Sequence, residues 1–226
     1  MSDFYIVSTP IGNLADITFR ALEILKNVDL ILCEDERMTK RLLDYYNIKR
    51  PLLSYHQHSK LEKINYILEL LKKGKNLALV SDAGTPGISD PGGKLVSKVH
   101  SLGFKVIPIP GPSAMTCAAS ISGFPMDKFM FLGFPPTKRK RKKFFDEVIN
   151  SKYPVIFYES PYRIIKTLKE LQLTIGNRQE DTRIVVAREL TKKFETIYRG
   201  KIEEVIKNIE KNKIKGEFVV IVNKSG

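Results

Sequence analysis

Short apolar runs alternate with helical patterns through the first half of the chain, and this alternation constrains the fold more than any other feature. The runs, which we predict to be strands, are Phe4–Ser8, Leu30–Cys33, Leu52–Tyr55, Leu77–Val80 and Val106–Ile109. Between them, apolar residues recur at three- and four-residue spacing, which predicts helices at Ile17–Val28, Met38–Tyr46, Leu61–Lys73 and Lys94–Leu102. Strands that alternate with helices indicate a mainly parallel sheet.

The second half of the chain has a different order. We predict strands at Phe129–Leu132, Val155–Tyr158, Ile184–Ala187, Phe194–Arg199 and Phe218–Val222. The helical patterns between and around them are Ala114–Ser122, Phe144–Ile149, Arg163–Leu171 and Ile202–Lys211. Two successive strands imply an antiparallel hairpin and therefore a mixed sheet. Because Pro108, Pro110, Gly111 and Pro112 interrupt the first pattern, we place two α/β domains at residues 1–112 and 113–226.

The charge balance narrows the class of partner. Lys and Arg number 38 against 25 Asp and Glu among 226 residues, a net charge of +13. Such an excess favours a polyanion, most often nucleic acid, or an acidic membrane face, although lysine-rich composition without a specific partner is the alternative. No apolar run approaches the roughly 18–20 residues that span a bilayer. Cys33 and Cys117 lie among apolar residues, as buried free thiols do, and no signal peptide is visible, so we expect a cytoplasmic protein.

A glycine- and proline-rich loop, Ser81–Gly93, follows the strand at Leu77–Val80 and precedes a helix. This places the loop at the carboxyl end of a parallel sheet, where open α/β sheets bind ligands. The loop fits neither G-x-x-x-x-G-K-[ST] nor G-x-G-x-x-G, so the usual nucleotide fingerprints are absent. An ordinary strand-to-helix turn is the alternative.

Charged and polar residues also follow other predicted strands. They form the segments Thr9–Asp16, Glu34–Arg37, Tyr158–Arg163 and Ala187–Lys193. Acids and bases in these positions can transfer protons or bind anions, but helix caps and surface ion pairs explain them as well. His56 and His58 have no third ligand at metal-like spacing, so we expect RNA or solvent contacts there and no metal site.

Six consecutive cations, Lys138–Lys143, form the basic run of this chain. They follow Thr137, which we predict to be the N-cap of the next helix. Cations in the first turn of a helix oppose its dipole, so an anion docked there would explain them. We interpret the run as a contact for a phosphate backbone, and a solvated charged face is the alternative.

The order of these motifs resembles the tetrapyrrole-methylase superfamily of S-adenosylmethionine-dependent transferases. Within it, the chain resembles the branch that acts on small-subunit ribosomal RNA. The resemblance extends from residue 4 to about 222. It is carried by Thr9–Asp16, Glu34–Arg37, Ser81–Gly92, Pro110–Ala114, Phe131–Phe134, Glu159–Arg163, Arg188–Lys192 and Gly216–Glu217.

The resemblance implies two α/β domains with the active site in the cleft between them, and a homodimer. It also implies methylation of the ribose 2′-hydroxyl of a cytidine in small-subunit (16S) ribosomal RNA, free or in the assembled subunit. S-adenosylmethionine would be the only cofactor. The residues that the resemblance assigns to this donor are Pro10, Asp82, Ala83, Gly84, Thr85, Pro86, Ser113, Ala114, Phe134 and Gly216.

A ribose hydroxyl becomes a good nucleophile only when its proton is removed or polarised. The residues we consider for this step are Glu159 and Lys192 first, then Glu34, Asp35 and Glu189. For contacts with RNA we consider Arg37, Tyr55, His56, His58, Lys60, Lys138, Arg139, Lys140, Arg141, Arg163 and Arg188.

Two other functions stay open at this point. The first is C-methylation of a corrin or porphyrin, although relatives of that kind carry Gly-Asp-Pro where this chain has Gly84-Thr85-Pro86. The second is a ribosome-associated RNA-binding protein without catalysis, for which the strand-end motifs would be unnecessary.

Overall fold

The computed structural model describes residues 2–176 and 182–224. Internal contacts divide the chain into two compact units, Met1–Ser113 and Ala114–Gly226. Within the described ranges, no helix combines the length and the apolar character needed to cross a membrane.

The first unit is built on a five-stranded sheet in which every pairing is parallel. Its strands are β1 (Asp3–Val7), β2 (Leu30–Cys33), β3 (Leu52–Ser54), β4 (Leu77–Leu79) and β5 (Lys105–Ile109), in the spatial order β3-β2-β4-β1-β5. The connecting helices are α1 (Phe19–Asn27), α2 (Glu36–Tyr45), α3 (Leu61–Lys72) and α4 (Gly93–Ser101), with a short 3₁₀ helix at Leu14–Asp16. The predicted parallel sheet is confirmed.

Helices cover both faces of this sheet, so alternate residues of each strand enter different cores. Ala78 on β4 belongs to one apolar cluster, and its neighbours Leu77 and Leu79 belong to the other. Both clusters include buried residues of the helices, such as Leu25 of α1 in the first cluster and Ile67 of α3 in the second. Burial on both faces explains why these strands read as continuous apolar runs.

The second unit contains a mixed sheet, as the successive strands predicted. Its strands are β6 (Met130–Phe131), β7 (Val155–Glu159), β8 (Thr182–Arg188), β9 (Thr196–Gly200) and β10 (Phe218–Lys224), in the order β6-β7-β10-β8-β9. Among the described strands of this sheet, only β6 and β7 pair in parallel, and β8 and β9 form the expected antiparallel hairpin. The helices are α5 (Ala114–Ser122), α6 (Arg141–Asn150), α7 (Ile164–Ile175) and α8 (Ile202–Glu210).

The strand register of the second unit gathers several loops at one edge. Phe218, at the start of β10, pairs with Glu159 at the end of β7 and with Arg188 at the end of β8. Because β6, β7 and β8 run in the same direction, their carboxyl ends meet at this edge. We call it the carboxyl edge of the second sheet.

Candidate functional site

In the first unit, the loops after β1 and β4 are joined by backbone hydrogen bonds. The Thr9 amide donates to the Gly84 carbonyl at 2.9 Å, and the Gly84 amide donates to the Thr9 carbonyl at 3.0 Å. Thr9 Oγ1 also donates to the Ser81 carbonyl at 3.0 Å. Gly84 has φ +80°, a conformation that residues with a Cβ adopt at a cost.

The loop after β5 joins the same arrangement. Thr85 Oγ1 lies 2.9 Å from Ser8 Oγ and donates to the Pro112 carbonyl at 3.3 Å. The connection after β1 leads to β2 and the connection after β4 leads to β5, in opposite directions across the sheet. Open α/β sheets bind ligands where the direction of connection reverses, so these loops form the candidate ligand edge of the first unit.

Most of the predicted donor residues of the first unit lie at this edge. Pro10 and Pro86 are buried, whereas Asp82 and Ala83 are exposed. At Gly87, a Cβ would meet no atom within 4 Å. Small side chains and an accessible backbone suit a ligand with many hydrogen-bonding groups, such as S-adenosylmethionine, and Ser113 follows Pro112 directly.

Three carboxyl groups influence one another at the same edge. Burial raises the pKa of Asp90 to about 6, and the charges of Glu34 and Asp82 act in the same direction. Burial and the charge of Asp82 also raise the pKa of Glu34. Asp90 was not among the residues predicted for proton transfer. Its place in the Ser81–Gly93 loop was visible in the sequence, but its approach to Glu34 was not.

Asp35 has a different role in the structure. It is the N-cap of α2 and accepts hydrogen bonds from the Arg37 amide at 2.8 Å and from Arg37 Nη2 at 2.7 Å. These bonds lower the pKa of Asp35 to about 2. Asp35 is therefore a poor proton acceptor, while its own amide donates to Asp82 Oδ1 at 3.0 Å and so connects two loops of the edge.

The loop after β3 presents two of the predicted RNA contacts and hides a third. His56 and His58 are exposed, with ring centroids 6.4 Å apart. Tyr55 is only 3% exposed and packs in the core with Ile67 and Leu68. The expectation that Tyr55 contacts RNA is therefore wrong, because its ring is already covered.

In the second unit, Glu159 lies at the end of β7 with its side chain fully buried. One oxygen pairs with Arg163 Nη2 at 2.8 Å and accepts from the Ser160 amide at 2.7 Å, and the other accepts from Thr167 Oγ1 at 2.6 Å. A carboxylate held in this way positions its neighbours. The structure therefore argues against Glu159 as the residue that removes a substrate proton.

Lys192 lies at the same edge, between two carboxylates. Its Nζ is 2.9 Å from Glu189 Oε1 and 2.8 Å from Glu217 Oε2. Burial alone would lower the pKa of Lys192, but the hydrogen bonds to Glu217 and Glu189 outweigh it and raise the pKa. Catalysis by a neutral lysine would need the opposite shift, so Lys192 does not fit that role here.

The Glu189 side chain lies against the backbone of residue 216, where any residue other than glycine would place its Cβ. A Cβ on Gly216 would collide with the carboxyl group of Glu189. Although burial alone would raise the pKa of Glu189, hydrogen bonds from Lys192 and from the Glu217 amide lower it. Glu189 and Thr191 have φ of +52° and +66°, strained values for residues with a side chain. Strain of this kind is common in functional loops.

Within the basic run, Arg141 differs from the three cations before it. The helix α6 begins at Arg141 with Lys140 as its N-cap, so the prediction of Thr137 as the cap is wrong. Lys138, Arg139 and Lys140 are exposed in the preceding turn. Arg141 points inward, with its side chain 11% exposed, and contacts Glu170 at 2.5 Å, Thr167 at 2.7 Å and the Pro136 carbonyl at 2.9 Å. Arg141 is therefore not presented to RNA.

Three further predicted residues of the second unit, Phe134, Arg163 and Arg188, lie near the carboxyl edge of the second sheet. Phe134 is 52% exposed and packs edge-on against Tyr158, with ring centroids 5.5 Å apart. Arg163 donates to the Pro135 carbonyl at 3.1 Å, and Arg188 donates to the Lys215 carbonyl at 2.7 Å. Both arginines thus stabilise the loops to which these carbonyls belong. Ala114 is the first residue of α5.

Comparison with known proteins assigns the chain to a class. Residues 3–206 match the sequence profile of the tetrapyrrole (corrin/porphyrin) methylases. The chain therefore belongs to the tetrapyrrole methylase family. Methyltransferases of this family use S-adenosylmethionine as the methyl donor, which confirms the predicted enzyme class and cofactor.

Within this family, the chain is similar over its whole length to proteins named ribosomal RNA small subunit methyltransferase I. The protein of that name from Thermotoga maritima is 46% identical over 99% of both chains. The one from Bacillus subtilis is 46% identical over 100% of this chain and 76% of its own. The sequence-based prediction of this branch is confirmed.

Solved structures share the fold at much lower identity. A cobalt precorrin-4 methyltransferase has a TM-score of 0.71 and 19% identity, covering 98% of this chain and 94% of its own. Uroporphyrin-III C-methyltransferase from Thermus thermophilus has a TM-score of 0.64 and 16% identity, with the same coverage. At this identity the likeness concerns the fold and does not extend to the substrate.

Proposed function

We propose that this protein methylates the ribose 2′-hydroxyl of a cytidine in small-subunit ribosomal RNA. The observation that carries the proposal is the 46% identity, over 99% of both chains, to a relative whose name includes this class of substrate. The exposed cations Lys138, Arg139 and Lys140 support it, since a polyanion fits them better than a single small ring does. C-methylation of a tetrapyrrole has in its favour the shared fold and the match to the family profile, and neither is specific for the substrate.

S-adenosylmethionine supplies a methyl group that is already activated as a sulfonium. The protein must therefore hold the donor, orient the ribose and accept a proton. We assign donor binding to Pro10, Asp82–Pro86 and Ser113 in the first unit, and to Ala114, Phe134 and Gly216 in the second. Orientation of the two reactants alone removes several kcal/mol of the barrier.

For the proton we favour Asp90, with Glu34 as its neighbour. A general base works best when its pKa lies near the working pH, and burial brings the pKa of Asp90 to about 6. Asp35 has its pKa lowered to about 2, and Glu159 is saturated with hydrogen bonds, so both are less suitable.

The proposed substrate also implies a binding partner and a cellular compartment. Ribosomal RNA or an assembled small subunit is the partner that we propose, and the cytoplasm is the compartment in which both occur. The homodimer implied by the family resemblance is part of the proposal. Sedimentation equilibrium of the full chain would test it.

The test combines donor binding with methyl transfer. Calorimetry should show binding of S-adenosylmethionine to the full chain. Labelled donor should then transfer its methyl group to small subunits or to naked small-subunit RNA, and mass spectrometry of nucleosides should identify 2′-O-methylcytidine. A protein that binds the donor but methylates only a tetrapyrrole would overturn the proposal.

A further inference from the structure

Two aromatic side chains are exposed to solvent at the carboxyl edge of the second sheet. Tyr162, three residues after β7, is 95% exposed, and Phe194, in the β8–β9 loop, is 65% exposed. Single exposed apolar residues are common on folded proteins, so the exposure of one ring alone indicates nothing. Two exposed aromatic rings on neighbouring charged loops are suited to covering a partner.

The register of the sheet brings these two rings to neighbouring loops. Glu159 at the end of β7 and Arg188 at the end of β8 both pair with Phe218, so only β10 separates the two strands. Adjacent strands are about 4.8 Å apart, which places the two loops about 10 Å from each other at their bases. A single ligand of several nucleotides can span that distance.

The charge around the two rings suits an anion. Lys193 Nζ lies 5.8 Å from the Phe194 ring centroid, and Lys193 is exposed. Lys192 pairs with both Glu189 and Glu217 and offsets one of their two negative charges, and the charge of Arg188 also acts on Glu189. Glu195 accepts a hydrogen bond from the Thr191 amide at 2.6 Å. Lys138, Arg139 and Lys140 follow β6, whose carboxyl end lies at the same edge.

We infer that the loops after β7 and β8 form a stacking surface for single-stranded RNA, on which Tyr162 and Phe194 each cover a base while Lys193 and Lys138–Lys140 contact phosphates. This inference rests on the proposed function and specifies how the RNA is held. Paired bases do not expose their ring faces, so a surface of this kind selects unpaired nucleotides.

The opposite edge of the same sheet provides a matched control. Tyr153 precedes β7 and is 37% exposed, with Lys128 Nζ at 5.8 Å and Lys152 Nζ at 6.0 Å from its ring centroid. It therefore combines an aromatic ring with nearby cations, as Phe194 does. It lies at the amino end of β7, away from the proposed surface.

The experiment measures the affinity of the full chain for a fluorescein-labelled, mixed-sequence RNA of about 12 nucleotides by anisotropy. Tyr162→Ala and Phe194→Ala should each weaken binding about tenfold, because the loss of one base–aromatic stack has that magnitude. Tyr162→Phe and Phe194→Tyr should retain the wild-type affinity. Tyr153→Ala should also leave it unchanged. The same RNA annealed to its complement should bind weakly and respond little to the alanine variants.

Several results would overturn the inference. One is unchanged RNA affinity in both alanine variants, and another is a loss of duplex affinity as large as the loss of single-strand affinity. A third is a smaller mass in sedimentation for the variant that carries both alanines, which would mark the rings as a subunit interface. Donor calorimetry and methyl transfer by the wild-type chain separate this failure from failure of the proposed function. If the wild type methylates ribosomal RNA and the alanine variants bind as before, only the inference fails.

Discussion

Thr167 Oγ1 donates a hydrogen bond to the buried carboxylate of Glu159 at 2.6 Å. The same hydroxyl accepts a hydrogen bond from Arg141 Nη2 at 2.7 Å. Arg141 and Arg163 in turn hold the consecutive carbonyls of Pro136 and Pro135. The end of β7 is thus connected to the turn that presents Lys138–Lys140. Glu159 acts on that turn through its partners.

Glu159→Gln should lower the free energy of unfolding by about 2–3 kcal/mol, because Arg163 loses its charged partner in a largely buried site. Urea unfolding of the two proteins measures the difference. Glu210→Gln, which breaks the exposed Lys169–Glu210 pair at 2.8 Å, is the control and should cost less than about 1 kcal/mol. Unaltered stability together with lost turnover would restore Glu159 as the proton acceptor.

Asp90→Asn should reduce turnover by about 10²–10⁴-fold if Asp90 accepts the proton. Wild-type activity should fall as the pH drops below about 6, where this carboxyl becomes protonated. Asp35→Asn keeps a capping side chain, and because the pKa of Asp35 is about 2, this variant should keep the acidic limb of the pH profile. An unchanged acidic limb in Asp90→Asn would exclude Asp90.

Asp90→Asn should also change stability with a defined sign. Burial raises the pKa of Asp90 in the folded chain, so the folded state prefers the protonated form. Above a pH of about 6 the ionised carboxyl therefore destabilises the fold, and its removal should add about 1–2 kcal/mol near pH 8, after allowance for partial exposure. Near pH 4 the gain should vanish. Denaturant unfolding at both pH values makes this comparison, and an equal gain at both would contradict it.

Gly216→Ala should be more destabilising than Gly74→Ala. Both positions have positive φ, +91° and +82°, so alanine strains the backbone similarly at each. Only at Gly216 would the new Cβ collide with Glu189, whereas at Gly74 it would meet no atom within 4 Å. We expect a loss of about 1 kcal/mol at Gly74 and at least about 2 kcal/mol at Gly216, measured by thermal unfolding. Equal losses would show that the Glu189 side chain can move aside.

Arg141 and the three cations before it in the basic run should respond differently to substitution. Replacing Lys138, Arg139 and Lys140 by Gln should reduce the slope of log K against log salt for single-stranded RNA by about 2, since three phosphate contacts are lost. Arg141→Gln should leave that slope unchanged but lower stability by about 2 kcal/mol, because it breaks the ion pair with Glu170 and the hydrogen bond to Thr167. A matching loss of slope in Arg141→Gln would place its guanidinium on the RNA.

Much of the fold could be predicted because the relevant signals are local. The apolar runs Leu30–Cys33 and Leu77–Val80 needed only their own residues to be recognised as buried strands, and both correspond to strands in the structure. The start of α6 was harder to predict, because Thr137 and Lys140 both lie near the helix. Only the backbone conformation of Lys140, φ +67°, shows that Lys140 is the cap.

Sequence patterns alone were enough to predict the order of strands and helices, the parallel and mixed sheets, the family and the loops that carry polar residues, because periodicity and motif order are properties of neighbouring residues. The environment of each side chain in those loops, by contrast, depends on contacts that form when the chain folds. Glu217 reaches Lys192 across 25 positions, Asp82 reaches the amide of Asp35 across 47, and Tyr55 is covered by a helix that follows it. Charge, pKa and exposure depend on such distant contacts, so a residue type in a motif does not reveal whether it is free to act.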